Sequence, residues 1–192
     1  MESLLRTLLL PANFKAMSFV AGISIVGFAT VVHFLMRKFG SFCDIPSGYR
    51  TLLYFLIGID FAAVSLLKLR SLLSIEWQGR RIPYFQILKE FQSFRIFHLQ
   101  GPIVAVAIIL SAVLIAENRS YYVVPALSVG LGFLYNFYGS LLRFRQYLIT
   151  GYWLIATGTA IFAFPQIPVM VALGLSIGCG FILFGIVTPS RH

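Results

Sequence analysis

Six stretches of this chain read as hydrophobic spans, residues 16–36, 51–71, 101–116, 121–142, 147–164 and 169–188, and the first two reach the full length needed to cross a bilayer. About 20 apolar residues, rising 1.5 Å each as a helix, cover a hydrocarbon core roughly 30 Å thick. Inside lipid the backbone must satisfy its own hydrogen bonds, so each such stretch is predicted to be helical. Composition agrees. The chain of 192 residues is 59% hydrophobic and 11% charged, with a mean hydropathy of +0.89. A soluble domain carries about 25% charged residues. The expected fold class is therefore an all-α integral membrane protein, with residues 1–192 forming one membrane domain.

A short pattern recurs in these spans. Leu175-Ser176-Ile177-Gly178-Cys179-Gly180-Phe181-Ile182 is echoed by Leu127-Ser128-Val129-Gly130-Leu131-Gly132-Phe133-Leu134, and more weakly by residues 55–62. Gly58, Gly130 and Gly178 align, with Phe61, Phe133 and Phe181 three residues later. Each copy lies in the second span of a pair. The expectation is six transmembrane helices arranged as three tandem hairpin repeats: hairpin one over 16–71, hairpin two over 101–142, and hairpin three with the tail over 143–192. The turns at Glu117–Ser120 and Pro165–Pro168 are short, which makes the spans they join antiparallel neighbours.

Two segments are expected to lie on the membrane rather than through it. Residues 1–15 hold Leu4, Leu5, Leu8 and Leu9, and the run is broken by Pro11, Asn13 and Lys15 before a full span begins. That reads as an interfacial segment and not as a signal peptide. In the connection 72–100, Tyr84, Ile87, Leu88, Phe91 and Phe94 recur at helical spacing with polar residues between them, after Pro83. This predicts an interfacial amphipathic helix with an aromatic lipid face. Partner docking is the rival use of the same face.

Charge orients the chain. Eleven of the 15 Lys and Arg fall on the side of the termini and the 72–100 connection; Arg37, Lys38, Arg50 and Arg119 fall on the other. The excess of basic residues marks the cytoplasmic side, so both termini are expected there. The net charge of +9 flanks apolar spans, which makes anionic lipid headgroups the expected partner and nucleic acid an unexpected one.

Few residues carry chemistry. Asp60 lies well inside span two, where a carboxyl costs about 2.5–3.5 kcal/mol on insertion scales. It is either a proton or cation site or a packing residue, with Asn136 as the expected polar partner. Its repeat equivalents, Gly132 and Gly180, place it on a packed face. Ser128, Gly130 and Gly132 in span four and Gly174, Gly178 and Gly180 in span six are expected to let helices approach closely. His33 and His98 lie near opposite surfaces, Cys43 and Cys179 are far apart, and no CxxC occurs. No metal site, cofactor or disulfide is expected. Gly174–Gly178 matches G-x-S-x-G by letter, but inside an apolar helix it lacks the strand-turn-helix context of a nucleophile. Asn118-Arg119-Ser120 matches a glycosylation sequon by letter and lies too near the bilayer to be one.

Gly151-Tyr152-Trp153-Leu154-Ile155-Ala156-Thr157-Gly158, then Phe164-Pro165, then the run from Gly174 to Gly185 make a Gly-rich helix, Phe-Pro turn, Gly-rich helix unit. In that unit the chain resembles the HdeD family of bacterial inner-membrane proteins. It implies a six-span bacterial inner-membrane protein linked to acid stress and without enzymatic activity. The residues themselves point the same way: a non-enzymatic protein acting through helix packing, as a homo-oligomer or as an accessory subunit of a membrane complex. The alternative is a small proton- or cation-coupled transporter or channel using Asp60.

Overall fold

The computed structural model describes residues 10–73, 76–77, 80–81, 95–117 and 119–189. Among them the protein is helical apart from turns and one antiparallel pair, β1 (Glu76–Trp77) with β2 (Arg80–Arg81). The helices are α1 (Pro11–Phe39), α2 (Ser47–Leu73), α3 (Arg95–Ala116), α4 (Val123–Leu142), α5 (Arg145–Ala163) and α6 (Val169–Val187). Each begins and ends within a few residues of an apolar span, except that α3 starts six residues before its span.

Local chemistry sets several of these ends. Pro11 opens α1, where its missing N–H costs nothing. Gly40, at φ +90°, closes it with its N–H on Met36 O, and Arg37 and Lys38 sit in the last turn against the negative end of the helix. Arg143 takes a left-handed conformation, φ 58°, to turn α4 into α5 within two residues. Within α6, Gly174–Gly178 forms a π-helical turn, the sort of local widening that glycines tolerate.

Three helices, α1, α2 and α6, are long and apolar enough to cross a membrane, and they mark the chain as a membrane protein. The apolar part of α3 is shorter, Ala105–Ala116. The expected interfacial helix with Tyr84, Ile87, Leu88, Phe91 and Phe94 lies outside the described residues, as does the segment with Leu4, Leu5, Leu8 and Leu9.

Helices expected to pair as hairpins are neighbours in space, yet the most extensive interfaces run between hairpins. These are α4 against α5, and α1 against α6, so the first helix packs on the last. Flanking them, α2 packs mainly on α1, and α3 on α4. Two apolar clusters lock the assembly. Tyr138, Leu142, Tyr147 and Phe184 join α4, α5 and α6, with Phe14 of α1 against them. Val124, Ile161 and Ala172 do the same at the far end.

The two main interfaces meet at backbone level. A Cβ on Gly22 would lie 2.6 Å from Ile182 N and 2.7 Å from Gly178 O. A Cβ on Gly132 would lie 2.8 Å from Gly151 O, and the reverse distance, from Gly151 to Gly132 O, is the same. Neither pair has room for a methyl group unless a helix moves. A Cβ on Gly58 or Gly130 would meet nothing from another helix within 4 Å among the described residues. Gly22→Ala and Gly132→Ala should therefore each cost about 1–3 kcal/mol through overpacking. Gly58→Ala and Gly130→Ala should be neutral or gain up to about 1 kcal/mol from helix propensity. Thermal unfolding of the four variants in mild detergent checks the ranking; equal losses at all four positions would contradict it.

Candidate functional site

Asp60 is half-buried where α2 lies on α1, and its Oδ1 accepts a hydrogen bond of 2.5 Å from Ser24 Oγ. The expected pairing with Asn136 is corrected. Asn136 sits on α4, its Oδ1 accepts no hydrogen bond, and its side chain packs over the bare backbone of Gly151 on α5. The physical reason is the order of the helices. Among the described residues α2 packs mainly on α1 and has no comparable contact with α4, so the hydroxyl next to the acid comes from α1. The partner that sequence reasoning missed, Ser24, is the hydroxyl that α1 brings to that neighbouring face.

The small residues divide by partner. Ser128 is fully buried and its Oγ donates to Leu154 O at 2.8 Å, tying α4 to α5. Gly132 meets Gly151 on the same seam. On α6, Gly178 faces Gly22, Val26 and Ile25 of α1, Gly174 faces Ala29 of α1, whose Cβ would lie 3.4 Å from a Cβ added to the glycine, and Gly180 faces Leu154 and Trp153 of α5. Gly130, expected at a helix contact, has none within the described part of the chain and faces open space there. Two residues along a helix is about 200°, so Gly130 and Gly132 cannot both face α5. The aligned glycines of the sequence pattern therefore have different surroundings, since Gly178 is packed while Gly58 and Gly130 are bare.

Contact glycines not singled out for packing include Gly151 and Gly158 on α5 and Gly185 on α6. Gly151 and Gly158 are seven residues apart, as are Gly178 and Gly185. That is two helical turns, hence one face. Gly158 meets Pro125 O and Ser128 of α4, and Gly185 meets Phe19 of α1. The seven-residue spacing was the available signal.

Two further features bear on function. Tyr138 OH, Thr150 Oγ1 and Thr188 Oγ1 are buried without a hydrogen-bond partner, beside or near the aromatic cluster of α4, α5 and α6. Between α1 and α6, two adjoining hollows of about 360 and 470 Å³ share His33 and Met170 as walls. Cys179 lines the inner hollow, and Cys43 is exposed in the loop after α1; both thiols are free. Among the described residues no three His, Cys, Asp or Glu side chains converge.

Comparison of the chain with protein-family models, with curated proteins and with solved structures finds no match.

The Ser24–Asp60 bond is testable as an interaction energy. Hydrogen bonds between membrane helices average about 0.6 kcal/mol in double-mutant cycles, with a maximum near 1.7. Ser24→Ala, Asp60→Leu and the double variant should yield a coupling in that range. Asp60→Asn, which keeps an acceptor oxygen, should stay within a few tenths of a kcal/mol of the parent. Unfolding in mild detergent measures both, and a coupling of zero would show that the bond contributes nothing.

Proposed function

We propose that this chain is a non-enzymatic integral membrane protein that works through helix packing, as a homo-oligomer or as an accessory subunit of a membrane complex. The supporting observation is a set of bare glycines on three helices. Gly27 of α1, Gly58 of α2 and Gly130 of α4 have, among the described residues, no atom from another helix within 4 Å of where a Cβ would stand. Lipid gives helices no hydrophobic reason to associate, so close backbone approach at such positions is the means available. α2 adds to this. Only 6% of its span is buried within the chain, and Leu52, Phe55, Phe61 and Leu66 stand exposed along it.

In this proposal each of α1–α6 crosses the membrane once, in three tandem hairpins, with both termini cytoplasmic and the 72–100 connection on the cytoplasmic interface among anionic headgroups. The less apolar α4 and α5 are shielded by each other, with Ser128, Gly132, Asn136, Gly151 and Leu154 along their seam. A bacterial inner-membrane location and a role in acid stress follow from the HdeD resemblance and stand with it. The second reading, proton- or cation-coupled transport, draws on Asp60 as an intramembrane carboxyl held by Ser24.

Three measurements separate these readings. Mass determination in mild detergent should give a dimer or a larger species; a solitary monomer, and no partner copurifying, would defeat the assembly. Cys43 and a cysteine placed at Ser120 should be labelled from one side of the membrane, and a cysteine placed at Ser93 from the other. Labelling of all three from one side would defeat the topology. Ion flux into liposomes should be absent with or without a pH gradient, whereas flux that Asp60→Asn abolishes would establish transport instead.

A further inference from the structure

The geometry points to a lipid site: the groove between α1 and α6 takes one anionic membrane phospholipid, its phosphate at Arg37 and one acyl chain along the groove. This reading needs the protein to lie in a membrane but not the assembly proposed above.

The groove follows from the way the two helices cross. They touch at backbone level at Gly22–Gly178, and Gly185 is close against Phe19. Toward the other end a Cβ on Gly174 would lie 3.4 Å from Ala29 Cβ, an ordinary contact distance, so the backbones stand further apart there, around the two hollows. The inner hollow is walled by Val26, Ala29, Val171 and Leu175, with Phe34, 63% exposed, at its lip. Thr30 also lines it, but its hydroxyl is already spent on Val26 O at 2.7 Å. The inner hollow thus offers mainly hydrocarbon contact.

The outer hollow differs. Its walls include His33 and Arg37, and Arg37 is exposed and in no ion pair among the described residues. Lys38 is next to it, also exposed, with its ammonium 5.4 Å from the Phe39 ring centroid. Asp44, the acid of the following loop, sits behind the wall residue Gly40, its Oδ2 3.7 Å from where a Cβ on Gly40 would stand, and accepts a bond from Ser41 Oγ at 2.6 Å; against it stand both Arg37 and Lys38. The mouth lies between the C-terminus of α1 and the N-terminus of α6, whose dipoles oppose each other there. The side chains therefore decide its sign, which is positive.

Length completes the match. Val26 to Arg37 spans about 16 Å of helix axis, close to half of a hydrocarbon core of roughly 30 Å. An apolar groove one leaflet deep, with a guanidinium at its mouth, has the layout of a phospholipid: phosphate at the surface and chain below. His33, Met36, Met170 and Cys179 bring soft donor atoms to the same groove, but a metal cation would meet the charge of Arg37.

The test uses the full chain in mild detergent, titrated with phosphatidylglycerol or phosphatidylcholine, with bound lipid counted by native mass spectrometry. The parent should hold one phosphatidylglycerol in preference to phosphatidylcholine. Arg37→Gln should weaken that binding about fivefold, the factor for one basic side chain near a lipid surface. Arg37→Lys should keep most of it, and Arg119→Gln, the same charge change in another loop, should leave it unchanged. Val171→Trp, placed at an exposed wall position, should fill the groove and lower retention of both lipids while the protein stays monodisperse. Equal affinity of the parent for the two lipids, equal effects of Arg37→Gln and Arg119→Gln, or full retention by Val171→Trp would each overturn the proposal. Release of the protein from membranes by carbonate alone would remove the membrane premise instead.

Discussion

The crossing of α1 and α6 at Gly22 and Gly178 is the contact on which much of the remaining architecture depends. It brings the first helix against the last and so closes the chain on itself. In lipid, apolar side chains gain little by leaving the bilayer for one another, and association rests on van der Waals contact at short range. Glycine allows that range because nothing stands between the two backbones. The Gly132–Gly151 contact repeats the device on α4 and α5, where Ser128 adds a hydrogen bond to Leu154 O. The two seams meet through Gly180, which lies against Leu154 and Trp153.

Other features follow from that crossing. The π-helical turn Gly174–Gly178 ends at the contact itself, so the local widening of α6 and its closest approach to α1 share a residue. Beyond the turn the helices diverge, and the groove with His33 and Arg37 at its mouth is the result. On the outer face of α1 there is room for α2, and the Ser24–Asp60 bond is the polar contact on that face. A carboxyl within an apolar helix is costly in lipid, and a hydroxyl donor from the neighbouring helix offsets part of that cost.

Much of the fold was legible in the sequence, while the site was legible only in part. Apolar length alone located α1, α2, α4, α5 and α6 to within a few residues, because a helix in lipid has no other partner for its backbone. The small residues were recognised, but their directions were not. Gly130 and Gly132 look equivalent as letters, yet one faces Gly151 and the other open space. The repeat suggested that Gly58, Gly130 and Gly178 play one role, and they do not. Asp60 stands out in the sequence as the acid of an apolar span, but the amide of Asn136 was the partner expected for it, and the structure gives it the hydroxyl of Ser24. A serine in an apolar span carries little signal, because it can bond its own helix and pass unnoticed.

The sequence by itself determined that this is a helical membrane protein, where most of its helices begin and end, and which residues are small enough for close contact. These are properties of single segments, set by hydropathy and by the backbone's need for hydrogen bonds inside lipid. Only the tertiary structure decided which helices touch. Short turns made α3 and α4, and α5 and α6, neighbours, but they said nothing of α1 against α6 or of the dominance of α4 against α5. Those pairings depend on which face each glycine presents, and a face has meaning only once a partner lies across from it.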